Sequence, residues 1–403
     1  MDEGTKIRNT QIVQFFFIMT VIGFIGNLRG ILLPSIKQSL GINYTDIGFM
    51  IFISSIGYMC ANLIGGIAGD RFGQRRVIMF GFTILPLGIL GLSYTRSFPA
   101  LLVFMTLVSI GLGSFDIGLN SLAPGIFIVN TAVMMNTMHF FYGVGSSASP
   151  KFAGWLLLKG LPWYSIYTYS LIIVALAFIP FILSPVKAAS NTQHTSGASV
   201  FKLMTDIRIL LFIGILGFSE AAEVGLGSWL VNFLQVERGM NQSISAQFMF
   251  YFFLIYTVGR MLGGHVVERL GYIRTVAASS AIVILLLIGG LSLDNRWTIL
   301  FSITGFFISI MFPTIIAVIS KVFHNNSSSV IGVVLTFAGM IGMMANWFIG
   351  RLNDSIGVFE GFASIPCYEV AFLVLLGILS RYLKAVNDKE ELKQVEQGAG
   401  TVS

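Results

Sequence analysis

Apolar residues run along this chain in long blocks separated by short polar punctuation. One bilayer-crossing helix needs roughly 20 mostly apolar residues, and twelve such blocks can be read off: 11–34, 45–69, 74–94, 98–127, 131–157, 163–184, 209–233, 243–266, 274–293, 297–320, 329–351 and 363–384. The one long polar interior stretch, 185–208, is rich in Ser, Thr, Ala and Asn and divides the blocks six and six. The pattern predicts an all-α membrane protein of twelve transmembrane helices in two pseudo-symmetric six-helix bundles. Residues 1–184 form the N-terminal bundle, 185–208 a cytoplasmic linker, 209–384 the C-terminal bundle and 385–403 a charged cytoplasmic tail, a short helix or a disordered end.

Composition supports that class. Of 403 residues, 55% are hydrophobic and 10% charged, whereas a soluble chain carries about a quarter charged residues to hydrate its surface. Lipid must cover most of this one, so the bilayer is its first partner. The 44 glycines suit close helix packing in membranes. The two cysteines, Cys60 and Cys367, lie in separate apolar blocks and imply neither a disulfide framework nor a metal site. The first block is too long for a cleaved signal and reads as a spanning helix.

Of the 24 Lys and Arg, fifteen fall on the side of the termini, six on the opposite side and three, Arg29, Lys151 and Arg260, within spans. Positive residues are retained inside, so the chain is expected to be a multi-pass cell-membrane protein with both termini cytoplasmic. That bias accounts for the net charge of +6 without a nucleic-acid partner. No nucleophile–base pair, metal-ligand set or phosphate loop stands out, so no enzyme activity and no cofactor beyond a coupling proton is expected, and a monomer suffices.

The chain repeats itself. GGIAGDRFGQRR (Gly65–Arg76) follows the second block, and GGHVVERLGYIR (Gly263–Arg274) follows the eighth, 198 residues later. YGVGSSASPKFAGW from Tyr142 matches AGMIGMMANWFIGR from Ala338, setting Gly143 on Gly339 and Gly154 on Gly350. Two parallel halves of this kind are the layout expected for alternating access. The acid and the basic residues of the first motif, Asp70, Arg71, Arg75 and Arg76, and their counterparts Glu268 and Arg269, stand near helix ends. There they can pair across the gap between halves and hold a gate shut in one state; the simpler alternative is topogenic charge.

Ionisable residues inside spans are costly and default to function. Asp116 and His139 lie at similar depth on the terminus side of the midplane, at roughly 1.5 Å of rise per residue. Asn120 is one turn from Asp116, and Asn136 and Tyr142 flank His139 on its own helix, so a cluster shared by spans four and five is predicted to bind substrate or, through Asp116, to couple protons. A structural Asp–His pair is the alternative. Glu223 lies near mid-membrane with Glu220 one turn earlier. Two desolvated carboxylates this close repel if both are charged, which suits a proton carrier. Trp229 and Asn232 follow: a ring beside an amide suits a sugar, and a belt anchor is the alternative. Asn27 and Arg29 in span one either face a cavity or snorkel outward. Lys151 and Arg260 are possible partners of the buried acids, with Arg260 read as part of its local Gly-Arg-x-x-Gly-Gly pattern.

Gly66, Asp70, Arg71, Gly73, Arg75 and Arg76 resemble the loop signature of the major facilitator superfamily, with Gln74 where the family carries its first basic residue. The resemblance covers the whole chain and implies the major facilitator fold. GLGSFDIGLN, MNTMHFFYGVGSSASP and GFSEAAEVGLGSW further resemble the fucose/glucose–galactose permease branch, which includes proton-coupled sugar symporters. By that resemblance Asp116 falls where fucose permeases carry a carboxylate, Asn120 keeps their amide, and His139 replaces a glutamine. Gly30 stands where they have a proton-linked aspartate, and Glu223 matches an acid of the glucose-permease side. A proton-coupled sugar symporter is the expectation. A proton-driven exporter of drugs or metabolites is the first alternative, a membrane sensor of the same fold the second.

Overall fold

The computed structural model describes residues 3–127, 131–183, 205–323 and 327–399. These form twelve long helices: α1 (Glu3–Leu40), α2 (Tyr44–Phe72), α3 (Gln74–Ser93), α4 (Phe98–Ile126), α5 (Thr131–Leu158), α6 (Trp163–Leu183), α7 (Ile207–Val236), α8 (Gln242–Leu270), α9 (Tyr272–Ser292), α10 (Ile299–Val322), α11 (Ser327–Ser355) and α12 (Val358–Ala399). No strand occurs among the described residues. Eleven of the helices are long and apolar enough to cross a membrane; α5 is of similar length. Most of the expected linker lies outside the described residues. Beyond 385 the charged tail continues the backbone helix of α12 to Ala399.

The repeat seen in the sequence is a repeat of backbone geometry. Asn43 and Asn241, also 198 apart, cap α2 and α8 by accepting a hydrogen bond from the amide three residues on. At the other ends, single glycines join α2 to α3 and α8 to α9: Gly73 has φ +93° and Gly271 φ +88°. A side chain would be strained in that conformation, so the motif glycines are set by the one-residue turn.

In each half the first helix packs on the fifth and the fourth on the second and third, positions repeated by α7 on α11 and α10 on α8 and α9. The halves meet through α2 with α11, α5 with α8, and α1 with α7. Their contact is uneven along the membrane normal. At the end away from the termini, here the far end, one apolar core runs through both halves: Ile31, Leu33 and Ile47 share it with Trp229, Leu230 and Phe362. Toward the termini the C-terminal half has a core of its own, with Phe212, Ile315, Val334 and Phe372 and no residue of the other half.

Glycines show how tight the far seal is. A Cβ on Gly30 would run into the Gly227 carbonyl, one on Gly350 into the Tyr44 carbonyl, and one on Gly48 into the Trp347 backbone, all across the halves. On the terminus side, Gly264 of α8 and Gly332 of α11 face open space. The bundle is therefore closed at the far end and parted at the end carrying the termini.

Candidate functional site

Between seal and gap, each half presents a carboxylate held by a tyrosine. In the N-terminal half, Tyr58 of α2 donates its hydroxyl to Asp116 Oδ2 of α4 at 2.7 Å, and Asn120 Nδ2 donates to Asp116 Oδ1 at 2.8 Å. Asn120 reaches back one turn, so the i, i+4 spacing on α4 builds this part of the site locally. In the C-terminal half, Tyr256 of α8 donates to Glu223 Oε1 of α7 at 2.6 Å, and Arg260 Nη2 donates to the Tyr256 oxygen, also at 2.6 Å. The guanidinium lies 4.8 Å from the ring centre of that tyrosine. A phenol thus stands between cation and carboxylate. A direct buried ion pair must recover a large desolvation cost; the bridged arrangement keeps both charges hydrogen-bonded without contact.

Tyr142 of α5 joins the two sides. Asn27 of α1 donates to Ser146 Oγ at 3.0 Å and, at 3.5 Å, to the Tyr142 hydroxyl. Glu223 and Arg260 from the opposite half act electrostatically on the same phenol, as does Arg29 of α1. Gly143 explains the close approach there, because a Cβ on it would collide with the Thr257 side chain of α8.

The other expected residues fall as follows. His139 is half-buried and stands beside Arg260, while Asp116 takes Tyr58 rather than His139 as its partner from another helix. Glu220 lies against Gly339 and Gly342 of α11 and within electrostatic reach of Glu223. Trp229 and Asn232 are 1% and 2% exposed and belong to the far seal: the Trp229 ring meets the Tyr44 ring edge-on at 6.1 Å, and Asn232 hydrogen-bonds the Tyr44 side chain. In this state they are shut off from the gap. Lys151 is exposed beside Phe250, its ammonium 5.3 Å from that ring, and lines a groove of about 610 Å³ between α5 and α8 away from the acids. Arg71, Glu268 and Arg269 are exposed at the parted end, as are Gly73 and Arg76, with Gly66 and Arg75 half-buried. The side chains of Asp70 and Asn136 lie outside the described residues.

Three residues escaped the sequence reading. Tyr58 and Tyr256 read as ordinary aromatic residues of apolar spans, whereas Arg260, weighed as a possible partner of the buried acids, reaches one through Tyr256. Glu369 of α12 is wholly buried and accepts a 2.5 Å hydrogen bond from Ser280 Oγ of α9. It carried the same signal as Glu223, an acid inside an apolar span, and is placed within the C-terminal half away from Tyr142.

The family model described as Major Facilitator Superfamily matches residues 15–379. A cis,cis-muconate transport protein of Acinetobacter baylyi is 26% identical over 253 residues, 59% of this chain and 61% of that protein. A glucose/galactose transporter of Brucella abortus is 26% identical over 398 residues, 91% of this chain and 93% of the relative. The crystal structure of a D-xylose-proton symporter superposes with a TM-score of 0.77 at 12% identity, covering 92% of this chain and 96% of the other.

Proposed function

Since the chain belongs to the major facilitator superfamily, we propose that it is a proton-coupled sugar symporter working by alternating access. It acts as a monomer in the cell membrane with both termini in the cytoplasm. In this reading the gap between the halves opens to the cytoplasm. Asp116, Asn120, Asn27, His139 and Tyr142 take the sugar, Glu223 with Glu220 carries the proton, and Trp229 and Asn232 join the site when the far end opens. The basic motif of Arg71, Arg75, Arg76 and Arg269, with Asp70 and Glu268, closes the cytoplasmic end in that other state.

The observation that carries this reading is the pair of tyrosine-held carboxylates, one per half, with Tyr58 of one pair and Glu223 of the other both within electrostatic reach of Tyr142. Each has a distinct neighbourhood. Asp116 is held by one phenol and one amide, groups that exchange readily for sugar hydroxyls. Glu223 has a second acid, a phenol and a guanidinium beside it, so gaining or losing a proton rearranges charge across the seam between halves. The similarity to a glucose/galactose transporter and to a xylose-proton symporter supports the sugar and the proton.

Glu223→Gln keeps size and hydrogen bonding but cannot release a proton. It is expected to abolish accumulation driven by a pH gradient while retaining sugar binding. Asp116→Asn is expected to weaken binding itself by about 1–3 kcal/mol, the range for a lost charge-assisted hydrogen bond. Substrate-induced proton uptake and equilibrium binding are measured in both variants. Protons still moving with substrate in Glu223→Gln, or unchanged binding in Asp116→Asn, would reject these roles. Lipophilic cations bound by the unmutated protein in place of any sugar would replace symport by export.

A further inference from the structure

We infer that the substrate carries an anionic group, a carboxylate, so that within the sugar reading on which this rests the ligand is a sugar acid such as a uronate or an aldonate.

A guanidinium inside a membrane protein is ordinarily neutralised by a carboxylate in contact with it. Here neither central guanidinium is. Arg29 of α1 is half-buried and makes no hydrogen bond or ion pair with any described residue; its electrostatic neighbours are the phenols of Tyr167 and Tyr142. Arg260 of α8 reaches Glu223 only through the Tyr256 hydroxyl, and its Nε is buried with no partner. The ion pair found among the described residues, Arg208 with Asp206, is at the start of α7, outside the span.

The two cations come from opposite halves and converge on one phenol, since both act on Tyr142. Glu223 is the carboxylate that acts on the same phenol. Around Tyr142, then, two guanidiniums that touch no carboxylate stand near Glu223, whose own hydrogen bond is to Tyr256, while Asp116 is taken up by Tyr58 and Asn120. A neutral sugar offers such a pair only hydroxyl oxygens. A carboxylate matches the planar fork of a guanidinium with two parallel hydrogen bonds and supplies the direct partner that neither guanidinium has. Asn27 and Tyr142 remain alongside for the hydroxyls of the same ligand.

The arrangement also links anion to proton. A proton on Glu223 removes one negative charge beside Arg260 and Tyr142, which favours an anion there. By reciprocity the bound anion favours protonation of Glu223. The groups facing that acid are Glu220 on its own helix, Tyr256 and Arg260 on α8, and Tyr142 on α5.

The test is equilibrium binding of D-glucuronate, D-glucose and succinate to the purified full chain, because the two sugars differ only in the oxidation state of C6. Glucuronate is expected to bind about tenfold or more tighter than glucose. Arg29→Gln should lower the ratio of glucuronate to glucose affinity by about the same factor, and Arg29→Lys, which keeps the cation, by less. Thermal melting of each unliganded variant separates loss of the site from loss of the fold. Glucose bound as tightly as glucuronate overturns the inference and leaves the sugar reading standing. Succinate bound with Arg29 dependence, and no sugar bound, upholds the anion and overturns the sugar. Binding of none of the three overturns both.

Discussion

The two ends of the bundle are built from the same repeated elements and stand in opposite conditions. At the far end, Asp354 at the close of α11 caps α2 of the other half: it accepts from the Tyr44 amide at 3.0 Å, the Thr45 amide at 2.5 Å and the Thr45 hydroxyl at 2.7 Å. Gln242 of α8 adds a 2.9 Å hydrogen bond to the Ile31 carbonyl. Glycines let backbones touch beneath these contacts. At the end carrying the termini, Arg71, Glu268 and Arg269 are exposed, and no ion pair crosses between halves among the described residues. A gate that must open and close needs contacts that exist in only one of two states. The far seal therefore uses a borrowed helix cap, strong when docked and cleanly lost on parting, because the free amides of α2 and the free carboxylate both return to water.

The largest effect should come from the glycine floor of the seal. Backbone carbonyls cannot yield as a side chain can, so Gly30→Ala against Gly227 is expected to disfavour the far-closed state by about 3 kcal/mol, on the order of a hundredfold in population. Gly332→Ala, facing open space at the other end, should leave that population alone. Distance distributions between spin labels at the far ends of α1 and α7 read both. If the two alanines act alike, the two ends do not differ in the way the packing indicates.

Next in size is the borrowed cap. Asp354→Ala removes three hydrogen bonds to a helix N-terminus across the halves and should shift the balance toward opening of the far end by about 1–3 kcal/mol. Asp70→Asn, at the opposite gate, should shift it the other way by a similar amount. Accessibility of single cysteines placed on both faces measures the two shifts, and movement in the same direction for both variants would break the pairing of gates.

How much of this was legible in the sequence depends on whether a residue's role is set locally. The twelve spans follow from block length, and the turns at Gly73 and Gly271 follow from a repeated glycine whose backbone no other residue adopts. Asp116 and Glu223 stand out because a carboxylate in an apolar span is costly. Tyr58 and Tyr256 did not stand out, since a tyrosine in a lipid-facing helix is unremarkable until a facing helix supplies an acid. Asp354 was invisible for a related reason. An aspartate at a helix end near the membrane surface is ordinary, and only the placement of α2 beside α11 makes it a cap for another helix. Trp229 and Asn232 show the converse. Their spacing suggested a sugar platform, but their exposure depends on which end is closed.

The smallest effect isolates what makes the far cap special. Asp206 does for α7 what Asp354 does for α2, but within its own half: it precedes the helix, accepts from the Arg208 amide at 2.9 Å, and pairs with the Arg208 side chain at 2.6 Å. Those hydrogen bonds to Arg208 hold its carboxyl below the usual carboxylate range. A group whose folded pKa is depressed stabilises the fold fully above its unfolded pKa, and the contribution is lost as pH falls through the folded value. Partial exposure keeps it small, and Asp206→Ala should cost about 0.5–1 kcal/mol of unfolding stability at neutral pH. The difference from the unmutated protein should vanish in acid, below the depressed value. Because donor and acceptor stay in one half through the transport cycle, the variant should not move the far-end distance distribution. Asp206→Ala shifting the conformational balance as far as Asp354→Ala would mean that capping strength alone, and not its crossing between halves, sets the gate.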